Sequence, residues 1–112
     1  MYKDDLTRIQ HIIDAGNDAT RFVSGRKRED LDDDRMLLLS LVKCIEIIGE
    51  AANKISPEFK SKYPQIPWRN IVGMRNWLIH VYFDIEHDRV WSTVLEDIPD
   101  LLKLIKEIDL EK

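Results

Sequence analysis

A single cysteine, Cys44, stands among the 112 residues of the chain. An intrachain disulfide is excluded, and a reducing, cytoplasmic compartment is the expectation. Apolar runs are short: Met36–Leu39, one of the longest, falls far below the ~20 residues that a membrane-spanning helix needs. No membrane partner is therefore expected. No signal peptide is expected either, because Lys3, Asp4 and Asp5 bring charge to the opening segment. Glycine is scarce, and no glycine-rich loop leads into a lysine, so a P-loop nucleotide enzyme is excluded. His80, Asp84 and His87 match no recognised helical three-ligand motif, so neither a metal nor another cofactor is expected. Repeats, low-complexity tracts, linkers and serious strand signals are all missing.

What is present is material for a helical core. Hydrophobic residues make up 44% of the chain, enough for one domain spanning 1–112. So short a chain leaves much surface exposed, which a homodimer would reduce. A first helix is expected from about Asp4 or Asp5 to Val23, on the spacing of Leu6, Ile9, Ile12, Ile13, Ala19 and Phe22. Gly16 marks either a close helix contact or a tolerated defect. A second helix begins within Leu31–Asp34, where aspartates favour the positive end of the helix dipole, and ends near Ile55. Its apolar face is broad: Leu38, Leu41, Val42, Ile45, Ile48 and Ala52 are widened by Leu37, Leu39 and Ile47. Burial on two sides, by other helices and by a second subunit, would account for it. A short turn or helical piece lies around Glu58–Tyr63. Pro67 then opens a third helix, from Trp68 to about Ile79. The final helix, from Glu86 or Asp88 to Ile108, should be kinked or divided at Pro99. The expected fold is all-α: an antiparallel four-helix bundle with a short additional helix.

The net charge of −4 argues against a general nucleic-acid coat. Residues 59–83, however, carry Lys60, Lys62, Arg69 and Arg75 and no acid. Such a basic island can receive a phosphate or an acidic partner, or it can be a chance cluster on a solvated face. It ends in Met-Arg-Asn-Trp-Leu-Ile-His-Val-Tyr-Phe, whose polar members are Arg75, Asn76, His80 and Tyr82. On a continuing α-helix Asn76 and His80 share a face, and Arg75 and Tyr82 nearly eclipse. That set suits cleavage of an RNA phosphodiester, where the 2′-hydroxyl is an internal nucleophile. The protein then has to move protons, as a histidine can, and to stabilise phosphoryl charge, as an arginine can. Asn76 would orient a phosphate oxygen or fix the imidazole. Spacing alone also permits a plain alternative, with Arg75 paired to an acid and His80 structural. Glu46 and Glu50 sit four apart on the second helix, and Glu50 is a candidate partner to orient Arg75. Trp68, Trp77 and Trp91 suit core or dimer packing better than base stacking.

The segment Arg75–Tyr82 resembles the signature of the HEPN superfamily, and more closely the Arg, four residues, His, one residue, Tyr form of the HepT-like toxin ribonucleases. Ile-Ile-Gly-Glu-Ala-Ala-Asn-Lys-Ile-Ser in the second helix, Ile-Pro-Trp-Arg-Asn-Ile-Val-Gly-Met-Arg-Asn before the motif, and Trp91 extend the resemblance over nearly the whole chain. Val81 and Glu86 depart from the commoner residues at their positions. The resemblance implies a HEPN-like bundle and a metal-independent RNA endonuclease, the toxin of a toxin–antitoxin pair. It implies that Arg75 and His80 are catalytic, with Asn76 supporting them. It also implies a homodimer with both motifs facing a shared cleft, and a cognate nucleotidyltransferase antitoxin that transfers AMP to Tyr82. The alternative is a non-catalytic binding subunit of a nucleotidyltransferase, or a purely structural helical interaction protein.

Overall fold

The computed structural model describes residues 3–83 and 86–108, with side chains for 4–78 and 86–108. Every regular element among them is helical. The long helices α1 (Lys3–Phe22) and α3 (Arg35–Lys54) pack along one another and form the main interface of the bundle. Between them lies the single turn α2 (Asp30–Asp33). The short α4 (Pro57–Lys62) leads to α5 (Trp68–Gly73), which continues as a 3₁₀ helix over Met74–Phe83. Both halves of that third arm lie against α3. The fourth arm is α6 (His87–Ser92), a π turn (Thr93–Asp97) and α7 (Ile98–Glu107), which packs on α1. The architecture is thus a HEPN-like four-helix bundle with short additional helices.

Ile9, Ile12 and Ala19 of α1 meet Leu41, Ile45, Ile48 and Ala52 of α3 in one core, which Ile71, Val90, Ile98, Leu101 and Ile105 complete. Trp68 and Trp77 are buried in it, and Trp91 packs against it partly covered. Gly16 marks a close contact: a Cβ there would stand 2.9 Å from a methyl of Leu102 on α7. Several apolar positions of the expected stripes are surface instead. Leu6 and Phe22 of α1, Leu39 and Ile47 of α3, and Leu95 are exposed.

The second expected helix is interrupted at Asp34, whose backbone is extended (φ −116°, ψ 95°). Its carboxylate accepts from the Leu37 N–H at 3.1 Å and so caps α3, while also receiving Arg26 at 2.6 Å. The aspartate run therefore serves two helix starts and a network of arginines, Arg26 to Asp30 and Asp34, and Arg28 to Asp32 and Asp88. Pro67 precedes α5 rather than opening it. The last arm is divided just before Pro99, as expected, with a π turn between its two α segments. Because proline lacks an N–H and crowds the carbonyl four residues back, the chain takes up one residue as a π turn just before it. The Ile98 N–H then bonds the Thr93 carbonyl, five residues back.

The third helix also differs from expectation. It is α only to Gly73, where an α-helix through about Ile79 was expected. Met74, Trp77 and Leu78 are all buried, a spacing that an α-helix would serve as well, so burial does not account for the change. Positions three apart superpose on a 3₁₀ backbone and positions four apart do not. The α-helical register that pairs Asn76 with His80, and Arg75 with Tyr82, is consequently not the register of this segment.

Candidate functional site

Arg75 sits in the second residue of the 3₁₀ helix, which crosses α3 closely enough for its side chain to lie on that helix. The stem passes directly over Gly49: a Cβ on Gly49 would be 2.6 Å from Arg75 Cγ and 3.2 Å from Cδ. The guanidinium then reaches the next residue of α3, where Nη1 donates to Glu50 Oε1 at 2.6 Å. Both side chains stay partly open, 36% for Arg75 and 53% for Glu50, so the arginine is held yet still presents donors to solvent. Glu50 also lines a groove of about 190 Å³ between α1 and α3, together with Arg8, His11, Lys43, Glu46 and Lys54. Arg8 and Lys54 add positive charge beside the carboxylate that anchors Arg75, while Lys43 is paired with Glu46 at 2.9 Å.

Asn76 takes a different direction. Successive residues of a 3₁₀ helix are a third of a turn apart. While Arg75 lies on α3, Asn76 lines a groove of about 820 Å³ between α5, the 3₁₀ helix and the last arm. The structure therefore brings together Arg75 and Glu50, and separates Asn76 from them. The side chains of His80 and Tyr82 lie outside the described residues, as does Asp84. His87 is held elsewhere, with Nδ1 2.9 Å from Asp32 Oδ1. Among the described residues, no three His, Cys, Asp or Glu side chains gather as a metal site would require.

Gly49 is the site residue that sequence reasoning missed. A glycine inside a helix reads as a weak point. The available signal was its position within the apolar stripe of α3, immediately before Glu50.

A four-helix bundle in which an arginine from one arm is seated on a glycine–glutamate step of another defines the class. The chain matches the family model described as Ribonuclease HepT-like over residues 12–108, and it belongs to that family. Similar proteins span it almost end to end. A candidate RNase of Caldanaerobacter subterraneus subsp. tengcongensis is 39% identical over 100 residues, covering 89% of each chain. One of Methanocaldococcus jannaschii is 35% identical over 108 residues, covering 96% of each. A candidate ribonuclease HepT of Thermococcus cleftensis is 39% identical over 100 residues, covering 89% of this chain and 88% of its own. No solved structure matches the chain.

Proposed function

We propose that the protein is a metal-independent RNA endonuclease that acts through Arg75 and His80. The observation that carries this reading is the seated guanidinium: Arg75 is fixed by Glu50 at 2.6 Å and over a third exposed, within a motif that matches a ribonuclease family. In the proposed reaction the RNA 2′-oxygen attacks the adjacent phosphorus, and the bond from phosphorus to the 5′-oxygen of the next nucleotide breaks. His80 takes the 2′-hydroxyl proton, and an imidazolium returns one to the leaving oxygen. Arg75 stabilises the charge on the non-bridging oxygens, and Glu50 keeps its planar fork aimed without removing its charge.

The shared-cleft homodimer belongs to the same proposal, because one histidine cannot readily serve both proton transfers at once. Support comes from α3. Met36, 81% exposed, Leu39 and Ile47 are open apolar side chains on the helix that carries Glu50, with the Lys43–Glu46 ion pair between them. A second copy seated there would cover these side chains and draw the two Arg75 sites toward each other. We further assign the protein as the toxin of a pair whose nucleotidyltransferase antitoxin adds AMP to Tyr82. The added bulk and negative charge on the motif segment would then exclude RNA.

The test is RNA cleavage by protein shown by intact mass to be unmodified, with and without EDTA, on all-ribose RNA and on RNA carrying a 2′-deoxynucleotide at the cut. Cleavage that survives EDTA and stops at the deoxy position supports the mechanism. Loss of cleavage on chelation would overturn the metal-independent reading. Absence of any cleavage would leave a non-catalytic partner of the nucleotidyltransferase.

A further inference from the structure

A groove of about 820 Å³ is not used by the arginine–glutamate pair. One wall is α5 and the start of the 3₁₀ helix, presenting Arg69, Asn70 and Asn76. The opposite wall is the last arm, presenting Arg89, Asp97 and Asp100. The first wall is rich in hydrogen-bond donors, and the second adds two carboxylate acceptors. Between them the Arg89 guanidinium lies over the Trp77 ring, its carbon 4.7 Å from the ring centroid. Trp77 itself is buried, and its indole holds the exposed Arg89 guanidinium at the wall of the groove.

The geometry points to a binding subsite for a single-stranded RNA nucleotide next to the scissile phosphate, with Arg89 as the stacking plane and Asp97 as the acceptor for an exocyclic base amino group. Three features favour that ligand. Unpaired bases stack on arginine planes as well as on aromatic rings. The volume exceeds what one nucleotide needs, and the donors at Arg69 and Asn70 suit its phosphate and sugar oxygens. The groove also begins at Asn76, the residue that directly follows Arg75, and so lies on the adjacent face of the same segment. A carboxylate in the groove disfavours phosphate at that end and accepts from adenine, cytosine or guanine amino groups, which uracil lacks.

This inference rests on the ribonuclease reading for its placement beside a scissile bond, and its test separates the two. Isotope-labelled full-length protein is titrated with 2′-O-methyl RNA tetranucleotides, which cannot be cut, of adenine, cytosine or uracil composition. Inorganic phosphate is the control probe. Signals of Asn70, the Trp77 indole and Arg89 should shift with adenine and cytosine probes, weakly with uracil, and not with phosphate. Arg89→Ala should weaken binding about tenfold or more, the scale of one lost stacking contact. Asp97→Ala should bring the adenine and uracil probes toward equal affinity. Shifts confined to other surfaces, equal shifts with phosphate alone, or an unchanged base preference in Asp97→Ala would overturn the subsite. Cleavage of RNA without groove shifts overturns the subsite and spares the ribonuclease. Groove binding by a protein that cuts nothing does the reverse.

Discussion

Replacing Gly49 by alanine would set two effects of known size against each other. In a helix interior alanine is favoured over glycine by about 1 kcal/mol. Here the added Cβ would stand 2.6 Å from Arg75 Cγ, where carbon atoms prefer roughly 3.5–4 Å. The arginine stem must therefore move by about 1 Å, and its bond to Glu50 cannot survive unchanged. At the exposure of this pair, the ion pair is worth at most about 1 kcal/mol, so the two effects nearly cancel in stability. Activity should be far more sensitive, because a misplacement of about 1 Å costs on the order of 10²-fold in rate. The decisive control is the same substitution made together with Arg75→Ala. With Cγ and Cδ gone, the next neighbour is the Ile71 carbonyl at 3.5 Å, an ordinary contact. Gly49→Ala should then raise Tm by about 4–8 °C, as 1 kcal/mol does in a domain of this size. Calorimetry on the four proteins of this cycle, with single-turnover RNA cleavage on the two that retain Arg75, gives the answer. A full Tm gain from Gly49→Ala alone, with cleavage unchanged, would refute the seat.

Other consequences of the structure are as direct. Asp5 is buried and accepts both from the Ser56 N–H at 2.8 Å and from the Ser56 hydroxyl at 2.7 Å, tying α1 to the cap of α4. Asp5→Ala should cost about 2 kcal/mol, a Tm loss of roughly 10 °C, and Asp5→Asn less. The carboxyls of Asp30, Asp32 and Asp34 are held below their ordinary value near 3.8, chiefly by the Lys27 N–H, by His87 and by Arg26 in turn. Their contribution is complete above that ordinary value and is lost as pH falls through the lower folded values. Tm should therefore decline below about pH 4, and the decline should be shallower in Arg26→Gln. Burial pushes the Cys44 thiol up to about 11, so a thiol reagent at neutral pH should label it only after unfolding.

The long helices were legible because each buries a stripe at the α-helical period. Ile9, Ile12 and Ala19, and likewise Leu41, Ile45, Ile48 and Ala52, stand where periodicity puts them. Local chemistry that competes with the period was harder to read. Asp34 leaves the helix because its side chain caps the next one, although the residues on either side favour helix. The one-residue π adjustment before Pro99 follows from a missing N–H, yet a kink or a break satisfies the same constraint. The change from α to 3₁₀ at Met74 has no marker in the segment itself, since Met74, Trp77 and Leu78 are buried at a spacing that reads as α. At the candidate site Arg75 and Glu50 were named from residue chemistry, and their contact is direct. The separation of Asn76 from them could not be foreseen while the segment was read as α. Gly49 could have been read as Gly16 was, as a point of close helix contact, but the sequence does not show which side chain lies over it.

Single-turnover cleavage of RNA by the unmodified protein, compared with Arg75→Ala, His80→Ala and the double variant, tests the central claim most directly. Each single substitution should slow cleavage by about 10²-fold or more, and the double variant should be little worse than the poorer single one, since the two groups act as a unit. Cleavage at the undiminished rate by the folded double variant would contradict the account.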